Sequence, residues 1–128
     1  MLAFRTATTL LGAAACCLVV LASGDISAKR LAPEPVKPVT VAGVTYFAPA
    51  WPIGIVIAKD VSSSQELWRQ RIYTLRYDRR LEQDVQDVFI TSLVVRDGNA
   101  LIITNERGER FILDLSTRTV RRVRDRNP

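Results

Sequence analysis

Four carboxylates fall within ten residues of one another, Asp78, Glu82, Asp84 and Asp87, in the run DRRLEQDVQD with Arg79 and Arg80 among them. Carboxylates this close suit calcium, a hard cation that takes about six to eight oxygen ligands. The spacing is not that of an EF-hand loop, because Asp78 and Glu82 are four apart and no glycine supplies the central turn. A solvated loop with local arginine–carboxylate pairs, each worth about 0.2–1 kcal/mol, is the simpler reading of the same residues. Two of them also carry the chemistry of glycoside hydrolysis, which needs two carboxyl groups about 5–9.5 Å apart. On one strand, Glu82 and Asp84 would share a face at a separation of about 6–7 Å. The neighbouring arginines would hold both ionised, against the acid role, and a chain this short has little material for a sugar cleft.

The remaining chemistry is narrow. The sequence contains no histidine, and both cysteines, Cys16 and Cys17, lie in the N-terminal apolar segment. A mature form therefore has no imidazole and no thiol, which removes Cys-His and Ser-His-Asp nucleophiles, a histidine base near neutral pH, and the usual zinc, haem and iron–sulfur ligands. Calcium is the one cofactor left open, and a non-catalytic role is favoured over an enzymatic one. The aromatics offer binding instead. Trp51, Trp68 and Tyr77, with Tyr46 and Tyr73, could form a stacking face for a glycan or peptide, since flat rings combine large contact area with a polar edge. Core packing is the default for most of them. Trp51, between Ala50 and Pro52 in a proline-broken stretch, is the one expected to be exposed.

The elements that must position these residues follow a leader. Arg5 is the single charge of the first residues, and Leu10 to Ala22 (LLGAAACCLVVLA) is an apolar run of thirteen closed by Ser23 and Gly24. A short basic region, a short apolar core and small residues after it describe a secretory signal peptide over residues 1–24, with cleavage as late as 28. The run falls short of the ~20 residues that span a bilayer. Membrane attachment would need an uncleaved signal, or lipidation at Cys16 or Cys17. The Ala13-Ala14-Ala15-Cys16 stretch is similar to a lipoprotein box in its small residues but lacks the large residue and is followed by more apolar chain. The expected location is exported, periplasmic or extracellular. Without disulfides, such a domain is held by its own core.

Removing Arg5 from the eighteen basic residues leaves seventeen against thirteen acidic ones, a net charge of +4. Arg118, Arg121, Arg122 and Arg124 gather near the C-terminus and could contact an anionic surface. They alternate with Val120 and Val123 and are followed by Asp125, which reads as a solvated last strand. Export argues against nucleic acid as a partner and for envelope lipid or glycan.

Residues 25–38 read as a linker, since LAPEPVKPV places three prolines at every second or third position and favours extended polyproline conformation. A β domain is expected over 39–124, with a basic tail at 125–128. Strand signals run through Val39–Phe47 and Ile53–Ala58. Glu66–Tyr77 fits a short helix by its Ser63-x-x-Glu66 box and Trp68, Ile72, Leu75 spacing, but its β-branched and aromatic residues favour a strand. Gln86–Arg96, Ala100–Thr104, Arg110–Leu115 and Arg118–Val123 follow, joined by short turns that impose an antiparallel meander.

Leu101–Val120 (LIITNERGERFILDLSTRTV) resembles the hairpin of a quinoprotein-type β-propeller blade, and Ile57–Trp68 (IAKDVSSSQELW) resembles the aspartate-to-tryptophan end of such a repeat. The glycine that those repeats usually carry before the final strand is replaced by Ser64 and Arg118. A propeller also needs at least about four four-stranded blades. The resemblance implies local β geometry, and neither quinone binding nor dehydrogenase activity is carried over. The fold expected is a small, mainly β single domain, an antiparallel sheet or partly open barrel of about six or seven strands. The function expected is a non-catalytic binding or assembly module of the bacterial cell envelope, with an envelope protein or glycan as partner.

Overall fold

The structure, a computed structural model, describes residues 30–125. The signal-like segment with Cys16 and Cys17, and Arg126 of the basic tail, lie outside the described residues.

The stretch VTVAGVTYF is two strands, not the single one expected. Ala42 and Gly43 both take positive φ (48° and 77°), the requirement of a tight two-residue hairpin turn, and they separate β1 (Val39–Val41) from β2 (Val44–Phe47). β3 (Ile55–Asp60) and β4 (Glu66–Arg71) complete a four-stranded antiparallel meander in the order β1-β2-β3-β4. β4 is shorter than the expected strand over 66–77. At Ile72 and Tyr73 the backbone N–H groups turn to the Gly54 carbonyl (2.7 and 3.5 Å), and the ladder ends. A short helix α1 (Gln83–Gln86) lies where no element was expected. The second meander is β5 (Ile90–Arg96), β6 (Ala100–Asn105), β7 (Arg110–Asp114) and β8 (Val120–Arg122), again in chain order. β5 starts four residues later than expected because Gln86 closes α1.

The domain is therefore a small, mainly β unit of two four-stranded antiparallel sheets, with eight strands where six or seven were expected, and the sheets do not close into a barrel. They pack face to face. Tyr46, Val56 and Ala58 come from the first sheet, and Leu93, Leu101, Ile103, Phe111 and Leu113 from the second. Val56, Leu101, Ile103 and Leu113 are fully buried, and burial of such side chains contributes about 1.5–3 kcal/mol each. Ile72 and Tyr73, just past β4, join the two sheets. The Tyr73 ring stacks on Phe111 at 5.4 Å and its hydroxyl donates to the Val88 carbonyl at 2.5 Å. Burial of this phenol raises its pKa.

The two segments that resemble propeller repeats form matching hairpins. Asp60 and Asp114 each donate a backbone N–H across the turn, to Gln65 and Thr119, and each accepts one back, from Ser64 and Arg118. Their carboxylates tie the turns from inside. Asp60 Oδ2 accepts from the Ser63 N–H and hydroxyl, and Asp114 Oδ1 from the Ser116 N–H and hydroxyl and the Thr117 N–H. These bonds hold both carboxyls below the usual range. Ser64 and Arg118, standing where the repeat glycine would be, both adopt positive φ (57° and 58°). The left-handed turn is kept with the glycine gone, and it delays β8 to Val120.

Candidate binding groove

Between β2 and β3 the chain reads Ala48-Pro-Ala-Trp-Pro-Ile-Gly54. The prolines cannot donate to a ladder, so the segment leaves the sheet, and both its ends are anchored: Ala48 and Ile53 are buried. Gly54 has φ +74°, and a Cβ there would lie 2.5 Å from the Tyr73 carbonyl oxygen, so only glycine fits. With the ends fixed, the middle stands out. Trp51, joined to Pro52 by a cis peptide, is 61% exposed.

Trp51 lines two of a series of three neighbouring hollows. The largest, about 540 Å³, is lined by the proline segment (Pro33, Pro35, Val36) and, among others, by Phe47, Pro49 and Phe89. It shares Pro33, Ala50 and Phe89 with a second hollow of about 320 Å³, which reaches Trp51, Asp84 and Asp87. Trp51 in turn borders a third, about 170 Å³, with Tyr77, Leu75 and Arg71 on its other side. The result is a groove whose largest part is lined mostly by prolyl, phenylalanyl and aliphatic side chains. The largest hollow alone is within the range of about 300–1,000 Å³ found for ligand sites.

Polar groups are few in the largest hollow and more frequent beside Trp51, where Arg30, Asp84, Asp87, Arg71 and Thr74 line the other two. Lys59 sets its ammonium 4.7 Å from the Phe47 ring centre, a cation–π contact. No carboxylate lies within salt-bridge distance of it among the described residues. Arg30 holds the start of the proline segment. Its guanidinium bonds both Glu106 carboxylate oxygens and the Asp87 carbonyl and lies 4.9 Å over the Phe89 ring. Glu106 also accepts the Phe89 N–H at 3.1 Å. Partial burial alone would raise the Glu106 pKa, but the Arg30 and Phe89 bonds outweigh it and hold the carboxyl below its ordinary value. Asp87 is buried and accepts the Tyr77 hydroxyl at 2.8 Å. Desolvation and this bond raise the Tyr77 pKa.

Among the aromatic candidates, Trp51 and Tyr77 come together in the groove and Trp68 does not. Trp68 sits on β4, half-buried, 5.7 Å from the Tyr46 ring with Arg118 over its other side at 5.9 Å. The carboxylates are spread apart. Among the described residues no three His, Cys, Asp or Glu side chains gather as metal ligands. The loop is closed instead by the Gln86 amide, which donates to the carbonyls of Asp78, Leu81 and Glu82 and accepts the Asp78 N–H. Glu82 holds the N-cap position of α1 without a side-chain capping bond and Asp84 lies in its first turn, so the shared strand face supposed for a hydrolytic pair does not form. Only Asp84 and Asp87 reach the groove.

The arginines do not make one stripe. Arg118 covers Trp68, Arg121 and Arg122 alternate across β8, and Arg122 pairs with Glu109 at 2.7 Å. Arg124 borders a separate polar hollow with Arg107, Arg110 and Asp125. Sequence reasoning missed Phe47, Phe89, Lys59 and the Arg30–Glu106 clamp. They are brought together from five separate segments, and no local pattern marks them. No protein-family model matches this chain, and no curated protein matches it.

Proposed function

We propose that the protein is an exported, non-catalytic binding or assembly module of the bacterial cell envelope, and that it meets its partner, an envelope protein or a glycan, in the groove at Trp51. One observation carries the reading: a tryptophan left 61% exposed between two anchored loop ends, lining two hollows, one of which shares Pro33, Ala50 and Phe89 with a larger, mainly apolar one. Exposed aromatic rings framed by apolar surface are characteristic of recognition sites. Export rests on the signal-like residues 1–24 and on the confinement of both cysteines to them.

The test is a cross-linked pull-down from envelope extract, washed at high salt to remove contacts made only through surface arginines. A stoichiometric partner that survives salt and is lost with Trp51→Ala supports the module. A partner retained by Trp51→Ala places recognition elsewhere. A hydrolytic turnover abolished by Glu82→Gln and Asp84→Asn, with the fold intact, would replace this reading with an enzymatic one.

A further inference from the structure

We infer that the groove takes a proline-rich, extended peptide segment of a partner protein; this deepens the module reading and rests on it. An ordinary peptide laid against prolyl and aromatic walls would bury backbone N–H groups without acceptors, and each such loss is costly. Proline carries no N–H, and its chain is already extended, so little ordering entropy is lost on docking. A glycan presents hydroxyls around every ring and needs polar partners along its length. The largest hollow offers few: Thr45, Lys59 and Glu34.

The chain's own Pro33–Pro38 segment offers a parallel on the same surface. It lies along the largest hollow, without regular secondary structure, and Val36 packs against the core. The surface thus packs against a segment of this composition, and Phe47, Pro49 and Phe89 line the same hollow. Prolyl carbonyls remain as acceptors and call for donors. The Trp51 indole N–H is such a donor, exposed and making no hydrogen bond among the described residues. Aromatic-lined grooves with this chemistry are a recurring mode of polyproline recognition. Lys59 near one end and Asp84 in the middle hollow would then favour a segment with an acidic residue beside the first and a basic one beside the second.

The experiment is isothermal titration calorimetry of the protein with N-acetyl decaproline, a glycine-serine peptide of equal length, and a chito-oligosaccharide. Saturable binding of decaproline alone is expected, weakened about tenfold or more by Trp51→Ala and less by Trp51→Phe, which keeps a ring but removes the donor. Trp51 is exposed, so both variants keep the core, and circular dichroism checks it. Oligosaccharide binding that is lost in Trp51→Ala, without decaproline binding, overturns the peptide assignment and leaves the groove reading standing. Equal binding of the glycine-serine peptide, or decaproline binding that Trp51→Ala does not weaken, also overturns it. Absence of binding by all three contradicts the peptide assignment and weighs against the groove itself.

Discussion

The two tryptophans have opposite fates. Trp68 belongs to a regular strand, where pleating turns it toward Tyr46 and a neighbouring turn lays Arg118 over it. Trp51 belongs to a loop whose prolines deny it a ladder and whose buried ends hold it away from the core. A large ring placed in a sheet is absorbed by the fold, whereas the same ring between two fixed, proline-framed ends is left to solvent. On the proposed reading, the Trp68 side of the molecule serves stability and the Trp51 side recognition.

The sharpest way to break that division is to unseat the Trp51 loop. Gly54→Ala sets a Cβ against the Tyr73 carbonyl at a positive φ, and the strain and overpacking together are expected to cost about 2–4 kcal/mol, read as a fall in thermal or denaturant midpoint. Trp68→Ala removes a half-buried ring from the sheet side and is expected to cost about 2 kcal/mol, less than a fully buried tryptophan. Trp51→Ala, its counterpart, is expected to stay within about 0.5 kcal/mol of the parent. Equal losses for the two tryptophans would erase the distinction.

The matching turns allow a finer comparison. Ser64→Gly relieves a positive φ that serine tolerates poorly and is expected to stabilise by about 0.5–1 kcal/mol. Arg118→Gly relieves the same strain but gives up the contact over Trp68, so its gain is smaller. Chemical denaturation of the two variants side by side measures the difference.

Acid provides the gentlest perturbation. Glu106 has a folded pKa below its ordinary 4.5, so its stabilising bonds are complete above that value and are lost as pH falls through the lower, folded one. Release of Arg30 and of the proline segment is therefore expected below pH 4.5 while both sheets persist. Amide exchange at Phe89, whose N–H Glu106 accepts, is the readout. Protection at Phe89 that survives well below that pH would show that the segment is held by its apolar contacts alone.

Much of the fold was legible because periodicity and turn chemistry act locally. The β6–β7–β8 region announced itself through Asp97-Gly98, Gly108 and Ser116-Thr117, and the exposure of Trp51 followed from its flanking proline and alanine. Other features depended on partners distant in sequence. Ala42-Gly43 split a strand that composition alone joined, β4 stopped where Gly54 captured two N–H groups, and Gln86 organised the acidic loop that looked like a metal site. The groove was the least legible part, because Pro33, Phe47, Trp51, Tyr77 and Phe89 share a surface only after both sheets have formed.

The central claim is that Trp51 serves recognition and Trp68 serves the fold. The most direct measurement is a ¹H–¹⁵N spectrum of the protein, in which the two indole N–H groups give two separate signals, recorded while decaproline is added. The account predicts that the Trp51 signal moves to saturation and the Trp68 signal stays in place. A still Trp51 signal, or a shift confined to Trp68, would contradict it.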